Sequence, residues 1–413
     1  MSAPLRIGVI PLVDAAALFV AADRGFFRDE GLEVELVREA SWSNIRDRLA
    51  IGHYDAAHFL APMAVASTLG LGHLKTPIVA SLNLALNGNA ITVSHLLRRQ
   101  LADVADGDIA DPAVSARALR VIVEQRAERG REPLAFGMTF PFSTHNYQLR
   151  YWLAEGGVDP DEDVRLIVLP PQYMVESLSC GQVDGFCVGA PWNSVAVEAG
   201  VGAILHFGCE IFSPAPEKVL ALRAEDVARA PARARALIRA CARASAFVAD
   251  TANHDETATL LARPDRVGAS CEAIKRTLDG ALRIDAAQRD RANSEYLLFG
   301  VGATARPHPE QAAWIYAQML RWRQLRHAAE SLDSAKKVFS PDLSKDDASV
   351  ADRTTPRAFS GRTFSSQDME TYLASFSIGA RLESTAKSSR AWNFGKAPPN
   401  TSAPTGVAGT QKA

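Results

Sequence analysis

The sequence predicts an α/β protein made of two lobes with a ligand cleft between them. Strand and helix patterns alternate from residue 5 to residue 60, and a second unit with the same alternation runs from about residue 111 to residue 189. "EKVLALRAEDV" then supplies one more strand, by which the chain returns to complete the first unit. Sheets of this kind bind ligands outside the carboxyl ends of their strands, where helix N-termini point.

Each element follows from local pattern. "RIGVIPL" reads as a buried strand and "DAAALFVAADRGFF" as a helix capped by Asp14 and ended near Gly25. "GLEVELV" alternates as a strand, and "EASWSNIRDRLAIG" is a helix with Ser41 or Ser43 at its N-cap and Gly52 past its end. "YDAAHFLAP" is a short apolar strand. The run from Pro77 to Ser94 carries Asn-Gly at its middle and is long enough for two sheet segments joined by a bend. Asp111 and Pro112 form an N-cap and N1 pair for a helix reaching Gly130. "PLAFGMTFP", "VRLIVLP" and "VDGFCVG" are strands, separated by helices at "STHNYQLRYWLAEGG" and "QYMVESLSCG". Helical spacing returns in "ARALIRACARASAFVAD" and "PEQAAWIYAQMLRW". Residues 1–94 with 214–341 are assigned to the first lobe and 95–213 to the second. Residues 342–413 are an extension whose end, "KAPPNTSAPTGVAGTQKA", has the composition of a disordered tail. Removal of roughly the last 30 residues is expected to leave ligand binding intact.

Composition narrows the function classes. Among 413 residues, 45 Lys and Arg oppose 47 Asp and Glu, so overall charge gives no reason to expect nucleic acid or a membrane surface as partner. The five cysteines form no C-x-x-C pair and read as reduced, buried or inert thiols, not a disulfide framework or a zinc site. No stretch approaches the roughly 18 apolar residues of a membrane span. The opening segment is interrupted by Arg6 and Asp14 and fails as a secretory signal, which leads us to expect a cytoplasmic protein.

Three residues stand where a ligand would bind: Trp42 after a strand, His145 at a helix start, and Lys218 ahead of "VLAL". Singly, each has an ordinary reading as a plug for the sheet edge, a surface histidine and a solvated lysine. Together they suit a small anion, with helix N-H groups and a neutral imidazole donating, an ammonium balancing charge and an indole excluding water. No G-x-S-x-G, Walker loop, H-E-x-x-H or G-x-G-x-x-G competes, so no enzyme chemistry is expected. His53 and His58 straddle a predicted strand and read as structural.

The stretches "EASWSNIRDRLAIGHYDAAHFLAPM", "LALNGNAITVS", "THNYQLRYWLAEGGVDPDEDVRLIVLPP", "VDGFCVGAPWN" and "PEKVLALRAEDV" resemble the nitrate- and bicarbonate-binding components of ABC transporters. The resemblance runs in order from about Leu5 to Trp322. It implies a type II periplasmic-binding-protein fold with an oxyanion pocket between two lobes. Trp42, His145 and Lys218 fall on the family's ligand-contacting tryptophan, histidine and lysine, and Asn89 falls where its transporter members usually place glutamine. Ala190 departs from the glutamate common in "GEPWN" and receives no role. A lysine at position 218 implies nitrate or nitrite; bicarbonate binders carry an acidic residue there and use a metal, so no calcium and no other cofactor is expected. Without an export signal, the chain is similar to the NasS-type cytoplasmic nitrate and nitrite sensors. That likeness implies a NasT-like, ANTAR-type RNA-binding antiterminator as partner, released when ligand arrives to switch on nitrate assimilation genes. The alternative is a substrate-binding component of a nitrate ABC transporter. The pyrimidine synthases of thiamine biosynthesis share a related fold, but their Cys-rich motif and cofactor lysine are not found here.

Overall fold

Every residue of Ala56–Leu60 is buried, as a strand covered on both faces requires, and this strand lies inside a six-stranded sheet. The computed structural model describes residues 4–72, 74–339 and 355–379. In chain order its strands begin with β1 (Leu5–Val9), β2 (Val34–Arg38), β3 (Ala56–Leu60), β4 (Ile78–Asn87), β5 (Asn89–Ser94), β6 (Ala135–Met138), β7 (Arg165–Val168) and β8 (Gly185–Gly189). They continue with β9 (Gly202–Phe207), β10 (Phe212–Ser213), β11 (Pro216–Arg223), β12 (Ala281–Arg283), β13 (Asp290–Ala292), β14 (Leu297–Phe299) and β15 (Arg357–Ala358). The larger sheet has the order β14-β4-β11-β3-β1-β2, and a five-stranded sheet has the order β7-β6-β8-β5-β9. Each is the centre of one α/β lobe of a periplasmic-binding-protein-like fold.

The sheets are mixed. β1 to β3, and β6 to β8, pair in parallel through helical crossovers as the alternation predicts. β11 runs antiparallel to β3 and β4, and β5 antiparallel to β8 and β9, because these strands enter from the other lobe. β5 also corrects the expected boundary: residues 89–94, assigned from sequence to the first lobe, pair within the second sheet.

Two of the chain crossings between the lobes, β4 to β5 and β10 to β11, meet side by side. The first is the bend expected at Asn-Gly, with Asn87 at φ 59° and Gly88 at φ 87°. Both lie in the left-handed region, which glycine enters freely and asparagine more readily than most residues. A Cβ at Gly88 would also stand 2.8 Å from the Leu297 side chain. The Asn87 amide donates to the Glu295 carbonyl at 2.7 Å and to Ser213 at 3.2 Å, and its oxygen accepts from the Ala215 N-H at 2.7 Å. Residues 213–215 belong to the second crossing, so one side chain ties both together.

Part of the extension is structural. β15 pairs with β10, and Phe364, Met369, Tyr372, Leu373 and Phe376 are buried. Arg362 pairs with Glu155 at 2.6 Å, and Tyr151 meets Ser360 at 2.7 Å. Within the extension, residues 355–379 therefore pack on the fold, although their apolar side chains are too sparse to show periodicity. The tail expected to be disordered lies outside the described residues. Among the described residues no helix is long and apolar enough to cross a membrane.

Candidate functional site

The end of β11 carries a β-bulge: Pro216 lies opposite Leu86 while Lys218 lies opposite Ala85. A bulge breaks the alternation of side chains between faces. Glu217 and Lys218 consequently share one buried site, where the Lys218 ammonium is paired with the Glu217 carboxylate and, at 2.9 Å, with Asp14. Burial opposes the lysine's charge, but the two carboxylates outweigh it and hold its pKa above the ordinary value.

Asp14 is not the helix cap the sequence suggested. It lies in a single turn of 3-10 helix, Val13–Ala15, is 2% exposed, and makes no capping bond. Its second oxygen lies 3.1 Å from His58 Nε2. Burial raises its pKa, yet Lys218 and then His58 overcome that and bring it down to about 2. His58, read from sequence as structural, thus belongs to the cluster from the middle of β3. His53 is exposed and stays outside, against Arg6 at 3.0 Å.

The second lobe contributes through the helix Thr144–Glu155 and the start of β5. Ser143 caps that helix by accepting from the Asn146 N-H, which sets His145 on its first turn facing the first lobe. His145 is fully buried, unlike the surface residue its position suggested, and Nε2 lies 3.4 Å from Glu217 Oε1. Burial lowers its pKa to about 4, even against the pull of Glu217, so the imidazole is neutral. Nδ1 is 3.1 Å from the Thr139 hydroxyl, and a bond donated by Thr139 leaves the ring proton on Nε2, toward Glu217. The Asn89 amide donates to Glu217 Oε2 at 2.9 Å and to Gln148 Oε1 at 3.0 Å. Trp42, the first residue of the Ser41-capped helix Trp42–Ala50, stands with its ring centroid 5.4 Å from the Lys218 ammonium and 5.3 Å from the His58 ring.

Trp42, Asn89, His145 and Lys218 are therefore brought together, two from each lobe. Asp14, His58, Gln148 and Glu217 join them and were not anticipated. Gln148 was within reach of sequence reasoning, being three residues beyond His145 on the same helix face. Lys218 is not the free counter-charge expected, since two carboxylates already face it. Apart from the Asp14 oxygens and His58 Nε2, which make ion pairs, five buried polar atoms of the cluster lack a hydrogen-bond partner: Trp42 Nε1, His58 Nδ1, Asn89 Oδ1, His145 Nε2 and Gln148 Nε2. Three of these are donors, the complement that an oxyanion requires. An open groove of about 370 Å³ beside Cys209, Glu210, Glu295 and Arg357 shares none of these residues.

The model of the NMT1-like family matches residues 2–262, well over half of the chain. The chain belongs to this family. Over 395 residues it is 35% identical to the nitrate import ATP-binding protein NrtC of Synechocystis sp. strain PCC 6803, covering 92% of this chain and 56% of NrtC. It is equally 35% identical to the bicarbonate transport ATP-binding protein CmpC of Synechococcus elongatus, covering 91% of this chain and 55% of CmpC. The chain thus spans little more than half the length of these two curated relatives. The crystal structure of the periplasmic nitrate-binding protein NrtA from Synechocystis PCC 6803 superposes with a TM-score of 0.82 at 28% identity, covering 91% of this chain and 98% of NrtA. The two-lobed architecture of this NMT1-like chain is therefore that of a solved binding protein.

Proposed function

We propose that this chain is a binding protein that takes nitrate or nitrite between its lobes. The observation that carries this reading is the convergence of Asn89, His145 and Lys218 on the buried Glu217 carboxylate, with the Trp42 ring beside the Lys218 ammonium and Gln148 bonded to Asn89. A donor set that accepts a carboxylate suits other planar monovalent oxyanions. The likeness to the nitrate-binding protein NrtA and the nitrate import protein NrtC favours nitrate among them. Titration calorimetry with nitrate, nitrite and bicarbonate tests the reading. Micromolar binding of nitrate or nitrite that is lost in Lys218→Glu supports it, and heat with bicarbonate alone overturns the choice of ligand.

For the use made of binding, our reading is a cytoplasmic sensor that releases a NasT-like antiterminator of the ANTAR type. Ligand must then favour the partner-free state, and by linkage the partner weakens ligand binding by the same factor. The import proteins among the relatives favour a second reading, the substrate-binding component of a nitrate transporter. Cell fractionation with co-purification separates the two: nitrate-sensitive capture of an RNA-binding partner from the cytosol supports the sensor, and recovery outside the cytoplasm supports the transporter.

A further inference from the structure

Glu217 is the member of the cluster for which anion binding has no evident use. Its side chain is fully buried, and its two oxygens meet the Lys218 ammonium, His145 Nε2 at 3.4 Å and the Asn89 amide at 2.9 Å. Lys218 does not depend on it for a counter-ion, because Asp14 supplies one at 2.9 Å. Two carboxylates on one ammonium leave excess negative charge in a water-poor site, an arrangement that costs stability unless the second carboxylate is well compensated. The compensation comes from across the cleft. Glu217 stands on β11 of the first sheet, whereas Asn89 is on β5 of the second sheet and His145 on the helix packed with it.

A carboxylate is a planar, delocalised, monovalent oxyanion and asks for the same donors as nitrate, nitrite or bicarbonate. We infer that Glu217 is a tethered anion: its carboxylate takes the Asn89 amide of the second lobe, stands against His145 Nε2, and holds the lobes closed when no free anion is bound, and a free anion enters by displacing it. The identity of that free anion rests on the function proposed above; the stapling of the lobes does not. The bulge in β11 is what makes the device possible, since regular alternation would turn Glu217 away from Lys218.

A state in which the internal carboxylate is in place does not accept ligand, so the apparent affinity is reduced by the fraction of molecules in which it has let go. If that fraction is about one in ten, removing the carboxylate tightens binding about tenfold. The experiment uses the full chain as wild type, Glu217→Gln and Glu217→Ala. Nitrate affinity is measured by calorimetry, and the radius of gyration without added anion by small-angle X-ray scattering. Both variants are expected to bind nitrate about tenfold more tightly, and Glu217→Ala to be more open than wild type until nitrate or formate closes it. Nitrate affinity equal to or weaker than that of wild type in both variants, with an unchanged radius, overturns the inference and leaves the nitrate reading standing. A variant that opens, is closed by formate and ignores nitrate upholds the tethered anion and removes nitrate as the ligand. No titration with either anion and no change in radius removes both. Should Glu217→Ala fail to fold, Glu217→Gln preserves the volume and carries the comparison of affinities.

Discussion

Lys218 faces two buried carboxylates, and that ratio governs what its replacement does. With methionine at 218, Asp14 and Glu217 remain in the site without the ammonium, and uncompensated buried charge of this kind costs about 3–5 kcal/mol. Urea denaturation of Lys218→Met is expected to show a loss of that size together with loss of anion binding; a loss below about 1 kcal/mol would mean that Asp14 and Glu217 have other compensation. Acidity probes the same residues. His145 and His206 are held neutral by burial, with pKa values near 4 and near 3, below the ordinary 6.5. As pH falls from about 6.5 toward 4, the unfolded chain takes up protons that the folded one refuses, so stability falls with pH. Asp14 adds a second loss between about 4 and 2, where its folded carboxylate still resists a proton that the unfolded one accepts. Thermal melts from pH 7 to pH 3 should show midpoints dropping through the first window, less steeply in His145→Gln if that variant stays folded. The sequence made Trp42, His145 and Lys218 readable because helix starts and strand ends are visible as patterns. Asp14 reads as a cap because an aspartate ahead of a helical run has the same signature whether it caps or pairs with a distant lysine. Glu217 was hidden by alternation, which a single inserted residue in one strand reverses without any trace in composition.

Among the elements, the joint between β4 and β5 concentrates the most structure in the fewest residues. The break at Asn-Gly was visible in the sequence as a bend; which sheet each half joins was not, because pairing partners lie more than ninety residues away in β8, β9 and β11. For the same reason the strands β9 and β14 escaped notice, each being short and stabilised by neighbours distant in sequence. Asn87 contributes a left-handed backbone and bonds to Ser213, Ala215 and Glu295. Asn87→Ala is expected to lose about 2–4 kcal/mol, from the unpaired buried groups and from forcing alanine to positive φ. Asn87→Gly keeps the backbone easy and should recover about 1 kcal/mol of it. The difference between these variants in chemical denaturation measures the backbone share; equal losses would put the whole effect in the hydrogen bonds.

At the scale of the whole molecule, residues 355–379 lie across elements of both lobes. On one side Tyr151 and Glu155 of the second lobe's helix meet Phe359, Phe376, Ser360 and Arg362. On the other, the Arg321 guanidinium, at the end of the helix Pro309–Arg321, lies 3.5 Å from the Phe376 ring centroid, and Gln318 donates to the Tyr372 hydroxyl at 3.0 Å. That helix packs with Ala61–Leu69 and with β4 through its neighbour Ala329–Val338, all in the first lobe. A segment that touches both lobes restrains their separation. Its removal exposes Tyr151, Phe212 and Arg321 to water and frees the lobes to part. A chain ending at residue 354 is therefore expected to melt several degrees lower than the full chain and to bind anion more weakly, since more closure must then be driven by the ligand alone. A chain ending at residue 383 keeps every one of these contacts and should match the full chain in both measurements. Melting and titration of the two truncations side by side decide the matter: if the shorter chain keeps its melting temperature and affinity, the segment packs on the lobes without coupling them.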